Sequence, residues 1–219
     1  MLIACSLVLA GVLVLLGVLQ WMSPGDPTPF LDASSRPLAG SLSEKLHVTI
    51  NGVDQGMFIK GKDATLPVLL YLHGGLPEYF LTERYPTGLE DHFVVVWWDQ
   101  RGSGLSYSPD IPPESITTEQ LIVDTLAVTH YLRQRFGQDR IYLMGHSGGS
   151  FLGIQAAARE PELYAAYIGV AQMSNQLRSE TLAYTYMLEQ FSAAGNTDMV
   201  QRLEAAPVTL TDGVPQAYL

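Results

Sequence analysis

The residues best equipped for chemistry stand in one short stretch, Ile141-Tyr142-Leu143-Met144-Gly145-His146-Ser147-Gly148-Gly149-Ser150. Ser147 sits at the apex of a Gly-x-Ser-x-Gly pattern, after an apolar run and before a helix-compatible segment, Phe151 to Glu160, that Pro161 stops. A serine on such a strand-turn-helix corner is held in a strained conformation that lifts its hydroxyl above the sheet, where it can act as a nucleophile. Gly145 and Gly149 fit the same turn, because a side chain two residues either side of the serine would meet the neighbouring strand or helix. The backbone N–H of Gly148, at the mouth of the helix, can face a developing oxyanion. The chemistry these residue types support is acyl transfer.

Two further loops carry unusual residues at strand ends. His73-Gly74-Gly75 follows the run Pro67 to Leu72, and glycines there let backbone N–H groups approach a reacting carbonyl oxygen, so Gly75 is a candidate second oxyanion donor. Asp99-Gln100-Arg101-Gly102-Ser103-Gly104-Leu105-Ser106 follows the run Phe93 to Trp98, and an Asp99–Arg101 network is expected to brace the site rather than react.

An activated serine needs a base, nearly always histidine, oriented by an acid, and on this strand-turn-helix corner both follow the serine in chain order. All five histidines, His47, His73, His92, His130 and His146, precede Ser147. Asp198 and Asp212 follow it, but in or after a helical segment rather than at a strand end. The chain as written is therefore expected to lack a complete triad. It reads either as the N-terminal part of a longer enzyme or as a degenerate, inactive copy that binds a ligand or partner. The intact upstream motifs favour the first.

The elements that would position these loops follow from pattern. Leu46 to Ile50 alternates at period two, Asn51-Gly52 signals a turn, and Gly56 to Lys60 forms a second strand. The continuous apolar runs at 67–72, 93–98 and 141–144 suit strands covered on both faces. Thr117-Thr118-Glu119-Gln120 matches a capping box opening a helix with Leu121, Val128, Leu132 and Phe136 on one side and Gly137 at its end. Another strand is expected at Tyr164 to Val170, then helices at Gln176 to Phe191 and Thr197 to Ala205 with no strand between. Strands alternating with helices predict an α/β protein with an open, mostly parallel sheet.

Together the three loop motifs resemble the α/β-hydrolase fold, and within it the proline iminopeptidase-like branch of serine peptidases. That branch carries His-Gly-Gly-Pro-Gly, Asp-Gln-Arg-Gly-x-Gly-x-Ser and Gly-x-Ser-x-Gly-Gly at these places. The resemblance covers roughly residues 45 to 205. It implies Ser147 as nucleophile, Gly148 and Gly75 as oxyanion donors, and His73, Gly74, Asp99, Arg101, Gly145 and Gly149 as site-supporting residues. It also implies a small peptide, amide or ester substrate, no cofactor, and a helical cap over the pocket. Leu76-Pro77 replaces the family's Pro-Gly, so the loop is about two residues short, and the family's catalytic Asp and His would lie beyond Leu219.

Composition sets the outer bounds. The 219 residues are 47% hydrophobic and 16% charged, enough to bury a core. A net charge of −10 with no basic stripe excludes nucleic acid as an expected partner. A single cysteine, Cys5, leaves no intrachain disulfide and no cysteine metal site. There is no Gly-x-Gly-x-x-Gly at the first strand-helix turn and no phosphate-binding Gly-x-x-x-x-Gly-Lys motif. Residues 1–22 are apolar and uncharged, long enough to cross a bilayer, and are expected to be an uncleaved membrane anchor, with a cleaved signal as the alternative. The Pro-rich linker 23–40 would hold the domain off the membrane; the extracytoplasmic side is the expectation, although neither flank of 1–22 is basic and the run itself leaves the orientation open. The expected organisation is anchor 1–22, linker 23–40, core 41–173 and partial cap 174–219.

Overall fold

Three continuous apolar runs form the centre of the sheet in the computed structural model, which describes residues 11–18, 25–82, 84–211 and 214–215. The strands are β1 (Leu42–Ile50), β2 (Val53–Gly61), β3 (Val68–Leu72), β4 (Val94–Trp98), β5 (Ile141–His146) and β6 (Tyr164–Val170). They form a six-stranded sheet in the order β1-β2-β4-β3-β5-β6. β1–β2 and β2–β4 pair antiparallel, whereas β4–β3, β3–β5 and β5–β6 pair parallel. The sheet is thus mixed, with a parallel half that carries the chemistry-bearing loops.

Why β3 and β4 are apolar at every position follows from their place in the middle of the sheet. Val68, Leu70, Leu72, Val94, Val96 and Trp98 face one side and join Ile122, Val128, Leu132, Leu152 and Ala156 in the main core. Leu69, Val95 and Trp97 alternate to the other side and pack with Phe58 and Tyr79. Both faces are occupied, so period two gives two cores rather than one wet face.

The main core is covered by α1 (Thr118–Phe136) and α2 (Gly148–Arg159). Thr117 caps α1, its Oγ1 accepting from the Gln120 N–H at 3.1 Å, and Gly137 closes it at φ 62°. The Gln120 side chain does not turn back to the cap as a capping box would have it; it donates to Asp124 Oδ1 at 2.8 Å. α2 begins at Gly148, ahead of the segment its sequence favours.

β3 lies between β4, which follows it in the chain, and β5, which pairs on its other side. The strand order therefore reverses at β3, and the loops leaving the C-terminal ends of β3, β4 and β5 converge there. Ligands of open α/β sheets bind in such a crevice. β6 is the last strand of the sheet among the described residues, and Ala165, Ala166, Gly169 and Val170 along it are exposed.

The chain divides into two compact units, Met1–Gln172 and Met173–Leu219. In the second, α3 (Gln176–Ala193) and α4 (Thr197–Ala205) are capped by Asn175 and Asn196, whose side chains accept from the N–H of Arg178 and Met199. Leu203 is buried, and the Tyr184 hydroxyl donates to its carbonyl at 3.2 Å. A short antiparallel pair, β7 (Leu210–Thr211) and β8 (Val214–Pro215), follows.

Residues 11–18 are helical and exposed, and the rest of the expected anchor, 1–10 and 19–22, lies outside the described residues. Among the described residues no helix is long and apolar enough to cross a membrane. Residues 25–40 run as bends and turns. Asp32 organises them, its Oδ1 accepting from the N–H of Ser34 and Arg36 at 2.7 and 3.0 Å, and Ser43 Oγ donates to the Thr28 carbonyl at 2.9 Å.

Candidate active site

β5 delivers Ser147 to the end of the sheet and α2 carries the chain away, so the reversal falls on Ser147 itself. Its backbone takes φ 51° and ψ −120°, a region a side chain enters only at a cost of about 1–3 kcal/mol. The surroundings hold it there. The Ser147 N–H donates to the Val170 carbonyl at 3.0 Å, and its own carbonyl accepts from the Ser150 N–H at 2.9 Å and the Ser150 hydroxyl at 2.5 Å. The two flanking glycines are required by contact. A Cβ on Gly145 would stand 2.5 Å from the Gly149 carbonyl oxygen, and one on Gly149 would stand 2.5 Å from the His73 carbonyl oxygen.

The loop after β3 comes up against this corner through Gly74. A Cβ there would lie 2.9 Å from Ser147 Cβ and 3.4 Å from Ser147 Oγ. Gly148, the first residue of α2, faces the Gly74 backbone, since its Cβ would meet Gly74 Cα and C at 4.0 Å. The Gly148 N–H has no intrahelical acceptor, as at the start of any helix. Gly75 is exposed, and a Cβ on it would meet nothing within 4 Å. Gly74, not Gly75, is thus the residue whose lack of a side chain the site demands.

His73 is buried and fully engaged. Its Nε2 accepts from the Gln100 N–H at 3.1 Å, which leaves the proton on Nδ1, 2.9 Å from the Gly74 carbonyl. Burial holds this imidazole below its usual pKa, so it stays neutral. Gln100 Nε2 donates to the His73 carbonyl at 2.9 Å, and Ser103 Oγ lies 3.1 Å from His73 Nε2. His73 therefore stitches the loop after β3 to the loop after β4 and offers no free nitrogen.

The profile of the alpha/beta hydrolase fold family matches residues 67–213, which span every one of these loops. The chain belongs to the alpha/beta hydrolase fold family. It is 39% identical over 155 residues to the "Probable aminopeptidase YbaC" of Bacillus subtilis (strain 168), covering 70% of this chain and 49% of that protein. Among solved structures it is similar to a proline iminopeptidase-related protein from Thermus thermophilus, with 29% identity and a TM-score of 0.52 over 64% of this chain and 49% of the other. The chain spans about half the length of these relatives.

Within this alpha/beta hydrolase frame the loop after β4 is wired differently from expectation. Arg101 does not pair with Asp99. Its Nε and Nη2 lie 2.7 and 3.0 Å from Asp124 Oδ2 and Oδ1 on α1, a buried two-point ion pair. Asp124 also accepts from Asn51 Nδ2 at 2.7 Å and Gln55 Nε2 at 3.0 Å. Burial would raise its pKa, but these donors outweigh it and hold the carboxyl below its usual value. Asp99 instead braces its own loop, its Oδ2 accepting from the Leu105 N–H at 2.7 Å and its carbonyl from the Ser106 hydroxyl. Burial pushes the Asp99 carboxyl up to about 6.

Asp124 was legible in principle. It lies four residues before Val128 on the apolar side of α1, and a carboxylate on a buried face demands a buried partner. Glu78 and His146 give no such signal. His146 Nδ1 lies 2.6 Å from Glu78 Oε1, and the Tyr71 hydroxyl donates to Glu78 Oε2. The remaining histidines stand elsewhere: His47 Nε2 is 3.2 Å from the Leu105 carbonyl, His92 ends the short turn Leu89–Asp91 before β4, and His130 is 3.2 Å from Glu160 on the surface. Among the described residues no histidine or carboxylate hydrogen-bonds the Ser147 hydroxyl. No group of His, Cys, Asp and Glu side chains among them is arranged to hold a metal.

Proposed function

We propose that the protein is a serine hydrolase that works by acyl transfer on a peptide, amide or ester bond, with Ser147 as nucleophile. The observation that carries this is the strained corner at Ser147, fixed from both sides and placed against the bare backbone of Gly74. Ser147 Oγ attacks the substrate carbonyl. The Gly148 N–H and an N–H of the Gly74–Gly75 turn receive the oxyanion. The C–N or C–O bond then breaks, the leaving amine or alcohol takes the proton drawn from Ser147, and water releases the acyl group. The base and its acid come from polypeptide beyond these residues, in keeping with an aligned stretch that covers only 49% of each relative. The similarity to a probable aminopeptidase favours substrates with a free amine next to the scissile amide. Residues 1–22 anchor the enzyme to a membrane; the support is the uncharged apolar run and its helical segment 11–18.

A fluorophosphonate probe on the native, full-length polypeptide tests the reading. Labelling at Ser147 that disappears in Ser147→Ala is expected. Native protein that unfolds cooperatively yet takes no label overturns the enzyme and leaves a binding module.

A further inference from the structure

We propose that Glu78 is a positioning residue, a clasp that fixes the turn carrying Gly74 and Gly75 to the corner carrying Ser147. It rests on the reading of that turn as the oxyanion loop. The turn is held firmly on its upstream side, where His73 is bonded to Gln100 through its ring and its carbonyl. Beyond Gly74 the chain leaves the sheet. Gly75 and Leu76 are exposed, and Gly75 has open space where a side chain would stand. An exposed turn places its N–H groups only as well as its downstream end is anchored.

Glu78 supplies that anchor. Its Oε1 receives the Nδ1 proton of His146, the residue bonded covalently to Ser147, and its Oε2 receives the hydroxyl of Tyr71 on β3. One carboxylate thus ties the oxyanion turn to the two strands, β3 and β5, that meet beneath it. The Glu78 and His146 side chains are only 23% and 36% exposed, so water does not compete freely for the bond. The next residue, Tyr79, stacks on Phe58 of β2 with ring centroids 3.8 Å apart, so the fixed point is built into the core. Donors must sit within a few tenths of an ångström of a forming oxyanion, and a 1 Å error costs about a hundredfold in rate. The clasp sets that distance through His146 without touching substrate.

The test measures loop order and reactivity separately. In Glu78→Ala, amide hydrogen exchange at Gly74, Gly75 and Leu76 should quicken at least tenfold while exchange in β3 and β4 is unchanged, and the rate of fluorophosphonate labelling should fall at least tenfold. Glu78→Gln should recover most of both losses, because its amide can accept from His146 and donate to the Tyr71 oxygen. His146→Phe, which removes one side of the clasp, should resemble Glu78→Ala, and it serves in its place if that variant fails to fold. Folded Glu78→Ala or His146→Phe with wild-type exchange in the turn overturns the proposal. Absence of labelling in the wild type would refute the serine-hydrolase reading instead, and the exchange data would still decide the clasp.

Discussion

The Arg101 guanidinium rests on the Asp124 carboxylate through two bonds, 2.7 and 3.0 Å long, with side-chain exposures of 4% and 0%. It joins the loop after β4 to α1, and through Asn51 and Gln55 to the β1–β2 hairpin. Gln55 in turn accepts from Trp98 Nε1 at 2.9 Å. Removing one charge strands the other where water cannot reach it. Arg101→Met should therefore cost about 3–5 kcal/mol, and the double variant Arg101→Met, Asp124→Leu should recover part of that. Urea denaturation of the two variants decides it. A single variant less damaging than the double would show that the pair is not the linchpin of this loop.

The glycines near Ser147 should separate sharply on substitution. Gly149→Ala drives a methyl into the carbonyls of Leu72 and His73, backbone that cannot swing aside, and should destabilise by several times the ~1 kcal/mol typical of a point variant. Gly74→Ala should leave the fold intact and depress fluorophosphonate labelling, since its methyl would press on Ser147 Cβ at 2.9 Å. Gly75→Ala meets open space and should change stability by less than about 1 kcal/mol. Thermal melts and labelling rates on the three variants form the comparison.

The strain at Ser147 also has a direct readout. Ser147→Ala keeps a Cβ at φ 51°, whereas Ser147→Gly removes it. The glycine variant should be the more stable of the two by about 1 kcal/mol, despite glycine's larger unfolded-state entropy. An alanine variant more stable than the glycine variant by about 0.4–1 kcal/mol, the unfolded-state entropy difference alone, would mean the corner stores no strain.

What the sequence shows and what it hides divides along chain separation. β3, β4 and β5 are legible as unbroken apolar runs, and the corner at Ser147 as a spacing of glycines, because local pattern decides both. The start of α2 is less so. Gly148 and Gly149 are poor helix formers, yet the turn at Ser147 and the packing of Gly149 on β3 draw them in. The pairing of Arg101 is hidden because two carboxylates compete for it. Asp99 is two residues away but spends its oxygen on Leu105, and Asp124 is reached only once α1 lies across the sheet. Glu78 and His146 are 68 residues apart, and nothing in the spacing of either announces the other.

Asp99 and Asp124 should move stability with pH in opposite senses. Asp124 is held below the ordinary carboxylate value, so its contribution is present above that value and is lost as the solution becomes more acidic. Asp99 is raised from 3.8 to about 6 by burial. Between those two values the folded state holds a proton that the unfolded state has given up, so its contribution is full below pH 3.8 and declines until the pH passes about 6. A shift of this size is worth up to about 3 kcal/mol. Asp99→Asn keeps an oxygen for the Leu105 N–H and removes the titration. The stability of the variant relative to wild type should therefore rise by up to about 3 kcal/mol from about pH 4 to about pH 7, and then level off. Denaturant titrations at half-unit steps of pH measure the difference. A flat difference would place the Asp99 carboxyl near its ordinary value, with the loop after β4 open to water at that point.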